Sequence, residues 1–474
     1  MSFFIQKLQK NLNLLYNLYR KVGHMKKNNS LLKVILITFL LFVVLSWFIS
    51  GGLFYKGTFY KADASSALGL GDIFSLPFQA FYLFAEYGMI FLIIGGLYGV
   101  LNKTGVYHNI IKKIASWFSK KKNLAIILSA LFIMLFESII GSSILTFTLI
   151  PFFASLLTEL GFNKKRVMFA TVGSLILGSF ASLTGLGGII NHLLEISKKS
   201  LIVIRTVLFF ITAIIMTVTL LLKDHKDIEE EKMDFKYEEG SKKGIGLVII
   251  LIVFMLIAII GLYDFKDYLG INVFANFSEK LAKIKIFNGI GTLGSWGVKD
   301  LAGLIIFTIL VISIFYRIKF KDLVEALKEG IKPMLKVSFY ATLAGVIFMY
   351  YYNSSTGYNF IDTIVNNIYG SSSEYLAFKT SLVTPLYTVM LNNQLFLANN
   401  VAAILLALSS NSSTLAASGL SLQLMSGISN LIIPTSYILM AGLAYFDISY
   451  GKWLKYIWKV LVVLLLISGI IILA

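Results

Sequence analysis

Near the C-terminus, the run Ser426-Gly-Ile-Ser429-Asn430-Leu-Ile-Ile-Pro434-Thr435-Ser436 sets amide and hydroxyl side chains inside an otherwise apolar stretch, with a Gly and a Pro to interrupt a helix. A second interruption, Gly178-Ser-Phe-Ala-Ser182-Leu-Thr184-Gly185-Leu-Gly-Gly188, occupies the matching place in the first half of the chain. In hydrocarbon an unpaired backbone group costs several kcal/mol, so a broken helix survives only where it lines a protein-buried or watery cavity. Hydroxyls, amides and freed backbone groups of this kind bind a small solute without reacting with it. Exposed helix N-termini favour anionic groups such as a carboxylate. The same small residues would also let helices pack closely, but two matched breaks favour a shared site built from Ser182, Thr184, Gly185, Ser429, Asn430, Thr435 and Ser436.

Two further groups stand out. Glu137, in Phe132-Ile-Met-Leu-Phe-Glu137-Ser138, precedes Ser142 and Ser143 within a long apolar run. An ionised acid at mid-bilayer costs about 3 kcal/mol even on lenient scales, so Glu137 needs a partner or a role. A proton, a sodium ion, a cationic substrate group or a structural hydrogen bond would each supply one. Asn392, Asn393 and Gln394 interrupt a second apolar run, where their amides either meet a solute or satisfy the turn's own backbone. Glu86 and Asp447 fall nearer span ends, where solvent satisfies them, and Trp47, Trp453 and Trp458 sit where interfacial anchors are usual.

Other chemistries find no support. There is no cysteine, and the four histidines are dispersed, which argues against a metal site, zinc thiolates and redox motifs. No nucleophile elbow, HExxH or phosphate loop is present, so the chain does not read as an enzyme, and no cofactor is expected beyond a coupling ion, sodium or proton. Gly289-Ile-Gly-Thr-Leu-Gly294 has glycine-fingerprint spacing but no strand before it, and it reads as a loop.

The elements that must position these groups are membrane spans. Of the 474 residues 57% are hydrophobic and only 14% charged, where soluble domains carry about 25% charged residues. Windows of the roughly 20 apolar residues that cross a bilayer recur throughout. The formal charge of +18 comes from cations clustered between spans, as at Lys120–Lys122 and Lys164–Arg166; this pattern reflects positive-inside sorting rather than a nucleic-acid partner. The expected architecture is an all-α polytopic protein of the cell membrane with a cytoplasmic N-terminus, about ten spans and two re-entrant hairpins.

A basic cytoplasmic segment covers 1–32 and a first transmembrane repeat 33–222, with a hairpin at 123–160 and a broken span at 167–196. The hairpin is inferred from basic flanks on both sides, and two full spans would satisfy them equally. A charged cytoplasmic linker occupies 223–243, and a second repeat covers 244–474, with a hairpin at 378–408 and a broken span at 415–447. A helix at about 320–330, with apolar residues at helical spacing among charges, is expected in the cytoplasmic interface ahead of a span at 334–353. The halves repeat the same elements from opposite sides, an inverted-topology repeat.

The runs Asn430-Leu-Ile-Ile-Pro-Thr-Ser, Leu439-Met-Ala-Gly-Leu-Ala and Tyr450-Gly-Lys-Trp-Leu-Lys455, together with Gly95-Gly-Leu-Tyr-Gly-Val-Leu-Asn102-Lys-Thr-Gly105, resemble the YfcC-like transporters of the DcuC (four-carbon dicarboxylate anaerobic carrier) family, in the ion-transporter superfamily. The chain departs from that pattern in keeping one acid, Glu137, where paired acids are usual, Leu183-Thr-Gly185 in place of Asn-Pro-Phe, and Ser426-Gly427 in place of Asp-Gly. The resemblance implies a scaffold and a mobile transport domain, an elevator-like motion, a homodimer, and secondary transport of a small carboxylate-bearing metabolite, amino acid or dicarboxylate. A basic amino-acid exchanger of the arginine/ornithine kind is the alternative within transport, and a channel the alternative outside it.

Overall fold

The computed structural model describes residues 29–62, 67–197, 200–222, 244–285, 289–353, 358–391 and 393–473. Most of the basic N-terminal segment, the linker 223–243 and Asn392 lie outside the described residues. Among those described, ten helices are long and apolar enough to cross a membrane.

The first half comprises α1 (Asn29–Phe48), a β-hairpin (β1 Gly52–Tyr55, β2 Thr58–Lys61), α2 (Leu70–Leu83), α3 (Ala85–Lys103) and α4 (Tyr107–Phe118). A helical hairpin follows, α5 (Lys122–Ile140) and α6 (Ser143–Glu159). The broken span is α7 (Lys164–Met168), a π-helical stretch (Phe169–Gly173), α8 (Ser174–Phe180) and, past the break, α9 (Gly185–Leu193); α10 (Ile202–Leu222) closes the half. The second half opens with α11 (Ile245–Leu262), α12 (Phe265–Leu269) and α13 (Val273–Ala282). It continues with α14 (Val298–Phe315), α15 (Phe320–Leu343), α16 (Phe348–Asn353) and α17 (Phe360–Tyr369). Its hairpin is α18 (Leu376–Met390) and α19 (Gln394–Leu408), its broken span α20 (Ser412–Ile432) and α21 (Tyr437–Tyr445), and its last span α22 (Tyr450–Leu473).

The hairpins and breaks fall where helix chemistry fails. α5 ends on Gly141, whose φ of 69° is left-handed and whose N–H closes back on Glu137 O at 2.8 Å, a glycine C-cap. Asn393 opens α19 by accepting the Leu395 N–H at 2.8 Å, and Ser436 opens α21 by accepting that of Leu439 at 3.4 Å. Because α5 is one of the ten long apolar helices, nine remain outside the hairpins.

α3 and α15 pack backbone against backbone. A Cβ on Gly99 would lie 2.1 Å from Ala326 O, and one on Gly330 2.1 Å from Gly95 O. Both obstacles are backbone, so the crossing requires glycine.

One feature differs from expectation and two add to it. The interfacial helix and the span after it are one continuous helix, α15: packing along α3 on both sides of Pro333 outweighs the break that proline would cause. The segment after α1 folds as the β-hairpin, whose turn at Lys56 and Gly57 takes φ of 50° and 80°, the form that suits strand twist. Gly52 and Asn359 then exchange backbone hydrogen bonds of 2.9 and 2.8 Å, tying the hairpin to the start of α17. Finally, α2 adds an amphipathic helix with Phe74, Phe78 and Tyr82 exposed along one face.

Candidate functional site

The tip of the first hairpin is docked into the first break. A Cβ on Gly141 would fall 2.7 Å from Gly185 Cα. Ser138 O accepts the N–H groups of Leu183 and Thr184 at 3.0 and 3.2 Å, while Ser138 Oγ donates to Ala181 O at 2.8 Å and accepts from Leu183 N at 2.9 Å. Ser182 Oγ donates to Ser138 O at 3.2 Å and accepts from Gly187 N at 3.1 Å. Thr184 Oγ1 donates to Ile139 O at 2.9 Å. The unwound turn therefore satisfies its own backbone through the hairpin, as burial in an apolar medium demands.

The second break is supported from α22 and α18. Trp453 Nε1 donates to Leu431 O at 2.8 Å and the Tyr450 hydroxyl donates to Ile432 O, so the last carbonyls of α20 are paired. Trp453 is thus a fully buried capping residue rather than an interfacial anchor; Trp47 and Trp458 are half-exposed, as anchors are. Thr435 Oγ1 donates to Thr388 O at 3.4 Å, and Asn430 Nδ2 to Ser426 O at 2.9 Å.

Gln423, within α20, ties the second broken span to the first break. Its Nε2 donates to Phe180 O at 2.9 Å and Ser182 O at 3.1 Å, and its Oε1 accepts from Arg205 Nε at 3.0 Å. Arg205, fully buried on α10, also donates to Asn191 Oδ1 at 2.9 Å. A Cβ on Gly427 would meet Phe180 Cβ at 2.5 Å, so α20 and α8 cross in contact.

Around this framework lies a cavity of about 390 Å³, lined by both hairpin tips and both broken spans, a size suited to a metabolite. Several helices begin on its wall, and three of them start at a hairpin tip or at the second break: α6 at Ser142, Ser143 and Ile144, α19 at Asn393, Gln394 and Leu395, and α21 at Ser436, Tyr437 and Ile438. Ser142 makes no side-chain cap on α6, so that helix's first N–H groups stay available. Each N-terminus carries roughly half a positive charge. Asn430, Ser179 and Tyr87 add polar groups, and Asn393 Nδ2 donates to the Tyr87 hydroxyl at 2.7 Å. Among the described lining residues the one charged side chain is Glu86, which is exposed, and none is basic.

Glu137 stands behind this wall, 1% exposed. Its Oε1 accepts from Ser143 Oγ at 2.7 Å and Ser179 Oγ at 3.1 Å, and its Oε2 from Thr146 Oγ1 at 2.5 Å. Gly178 gives it room, since a Cβ there would lie 2.8 Å from Glu137 Cβ.

Of the residues singled out from the sequence, Ser142, Ser143, Asn393, Gln394, Asn430 and Ser436 line the cavity. Ser182, Thr184, Gly185, Ser429 and Thr435 do not; they are framework, with the polar groups of Ser182, Thr184 and Thr435 committed to backbone carbonyls. Asn392 lies outside the described residues. Ser179, inside the Gly178–Gly188 run but not among the residues singled out from it, also lines the cavity, as do Tyr87, Tyr437 and Trp296, aromatics of a kind shared by many positions facing lipid. Glu86, expected simply in solvent, stands at the cavity wall.

The family model described as DcuC, C4-dicarboxylate anaerobic carrier, matches residues 29–474. Among solved structures, the Alcanivorax borkumensis YdaH transporter is similar at 14% identity, over 92% of this chain and 96% of that one, with a TM-score of 0.37. No curated protein matches the chain.

Proposed function

Because the chain belongs to the C4-dicarboxylate anaerobic carrier family, we propose that this membrane transporter is a secondary carrier of a small carboxylate-bearing solute, a dicarboxylate or an amino acid, bound in the 390 Å³ cavity. The observation that carries this reading is the convergence of the N-termini of α6, α19 and α21 on a wall that holds amides and hydroxyls but no basic side chain among the described residues. Aligned N–H groups hold a carboxylate without a fixed counter-charge, so the loaded and empty sites differ less in structure than a lysine or arginine pocket would require. Ser142, Ser143, Asn393, Asn430 and Ser436 are the direct contacts in this proposal, with Tyr87, Ser179 and Tyr437 beside them.

The mobile body would contain both hairpins and both broken spans, tied together by Gln423 and the Gly141–Gly185 contact. The scaffold would be the glycine-seamed α3–α15 pair with α14. Among the described residues, few polar links join the two bodies; Asn393 to Tyr87 and the exposed Lys336–Asp447 ion pair are two of them, so an elevator-like displacement breaks little. The cavity reaches the first turns of α3 and α14 and the last turn of α11. Gly244, just before α11, packs instead on Val106 and Ile110 beside the basic 112–122 stretch. With basic segments cytoplasmic, the two halves are inverted, the N-terminus is inside, and the described state faces outward in the plasma membrane. A homodimer is proposed on the family resemblance, and crosslinking in native membranes tests it.

Counterflow in proteoliposomes, with labelled succinate, aspartate and arginine, decides the function. Uptake stimulated by internal succinate or aspartate, and reduced at least tenfold by Asn430→Ala, is the expected result. Stimulation by arginine alone would transfer the site to the basic amino-acid exchanger, and conductance without counterflow would make the protein a channel.

A further inference from the structure

Ser143 and Ser179 face two ways. Each lines the cavity, and each donates its single hydroxyl hydrogen to the same oxygen of Glu137, at 2.7 and 3.1 Å. A serine hydroxyl has one hydrogen and two lone pairs. While Glu137 is ionised, both hydrogens are spent on the carboxylate, and the two hydroxyls can offer the cavity only lone pairs. A carboxylate substrate is also an acceptor, so that part of the wall repels it. Thr146 cannot relieve the arrangement, because its own hydroxyl lies against Glu137 Oε2 and it is fully buried away from the cavity.

Protonating Glu137 reverses the polarity. The acid then donates, one or both serine hydroxyls turn their hydrogens toward the cavity, and the wall becomes a donor surface continuous with the N–H groups of α6. We propose that the Glu137–Ser143–Ser179 cluster is a proton-gated polarity switch: an anionic carboxylate binds together with one proton on Glu137, and the empty site releases that proton. The proton comes from bulk water on the side to which the cavity opens and leaves on the other, so each cycle carries one proton with the anion. This deepens the carrier reading above and rests on it.

The surroundings of Glu137 suit such a role. From α6 it is faced by Ser143 and Thr146, from α8 by Gly178 and Ser179, and from α9 by Gly185, whose Cβ position would lie 3.1 Å from Glu137 O. From α21 the Tyr437 phenol is close enough to interact electrostatically. On α10, which also packs on α5, the buried guanidinium of Arg205 is directed to Gln423 and Asn191. Glu86 at the cavity wall is the other acid in the neighbourhood.

The test measures binding and transport of labelled succinate and aspartate between about pH 5.5 and 8.5, at fixed sodium, in the full chain reconstituted into proteoliposomes. In the native protein affinity should fall about tenfold per pH unit once Glu137 ionises, and an inward proton gradient should drive accumulation. Glu137→Gln, an amide that stays neutral, should bind with little pH dependence and lose proton-driven accumulation. Ser143→Ala should weaken binding but retain the pH dependence, and it is informative even if the Glu137 variant fails to fold. Unchanged pH dependence in Glu137→Gln overturns the switch, as does a native protein driven by a sodium gradient at constant pH and indifferent to protons. Loss of all succinate and aspartate counterflow in the native protein would instead sink the carrier reading, so the two failures are distinguishable.

Discussion

Replacing Gly141 by alanine probes the docking of the first hairpin tip on the first break. Two penalties act there. The residue holds φ at 69°, and a side chain in the left-handed region costs about 1–2 kcal/mol. The new Cβ would also stand 2.7 Å from Gly185 Cα, 2.9 Å from Gly185 C and 3.0 Å from Leu186 N. All three are backbone atoms that cannot swing aside, and overpacking of this kind costs a further ~1–3 kcal/mol. The cheapest relief is for the tip to withdraw by several tenths of an ångström, carrying Ser142 and Ser143 away from the cavity. Two other glycines separate the contributions. Gly270 has a φ of 72° and open space around it, so Gly270→Ala carries the strain alone, whereas Gly469 has the open space without the positive φ. Thermal unfolding in detergent should rank the losses Gly141→Ala, then Gly270→Ala, then Gly469→Ala. In counterflow only Gly141→Ala should raise the half-saturating succinate concentration, by about tenfold or more. Equal stability losses at Gly141 and Gly270, with transport unaffected, would show that the tip does not rest on Gly185.

Other consequences can be checked in parallel. Asn393→Asp keeps a good helix cap but loses the donor to Tyr87 and puts a negative charge at the start of α19; carboxylate uptake should fall at least tenfold in counterflow while the unfolding temperature barely moves. Trp453→Phe leaves Leu431 O unpaired in a buried setting, which costs about 1–3 kcal/mol, whereas Trp458→Phe, on a half-exposed ring, should be silent in the same melting assay. Asp362, outside the candidate spans, accepts from Phe54 N and the Tyr387 hydroxyl, yet burial pushes its carboxyl up from 3.8 to about 6. The folded state then holds this proton more tightly than the unfolded one, so stability should fall as pH rises from about 4 to 6 and level off above that. Asp362→Asn should remove that slope, which melting curves at about pH 4.5 and 7.5 would reveal.

The positions of the breaks and hairpins are legible because Gly, Pro, Ser and Asn inside an apolar run weaken a span in hydrocarbon unless a break or turn makes use of them. Which of their side chains would meet the cavity is not. Thr184 and Asn430 look equivalent in sequence, yet Thr184 is occupied by Ile139 O while Asn430 reaches the cavity wall. A break must first satisfy its own backbone, and hydropathy cannot tell a hydroxyl doing that from one left for a solute. Ser179 shows the converse: it precedes the break, on regular helix, and faces both Glu137 and the cavity. Tyr87 and Trp453 are hidden for a different reason, since an aromatic near a span end reads as a lipid anchor until its polar atom is seen to have a protein partner. The continuity of α15 is hidden because charge pattern and proline act locally, whereas its course follows from glycines on another helix.

The amide of Gln423 closes carbonyls that lie 243 and 241 positions earlier in the chain. Ribosomes deliver the N-terminal portion first, so a nascent molecule must keep Phe180 and Ser182 supplied with temporary partners, water or insertion machinery, until the distal portion is threaded into the bilayer. The pairing that Gln423 supplies therefore forms only after both halves of the chain are in the bilayer.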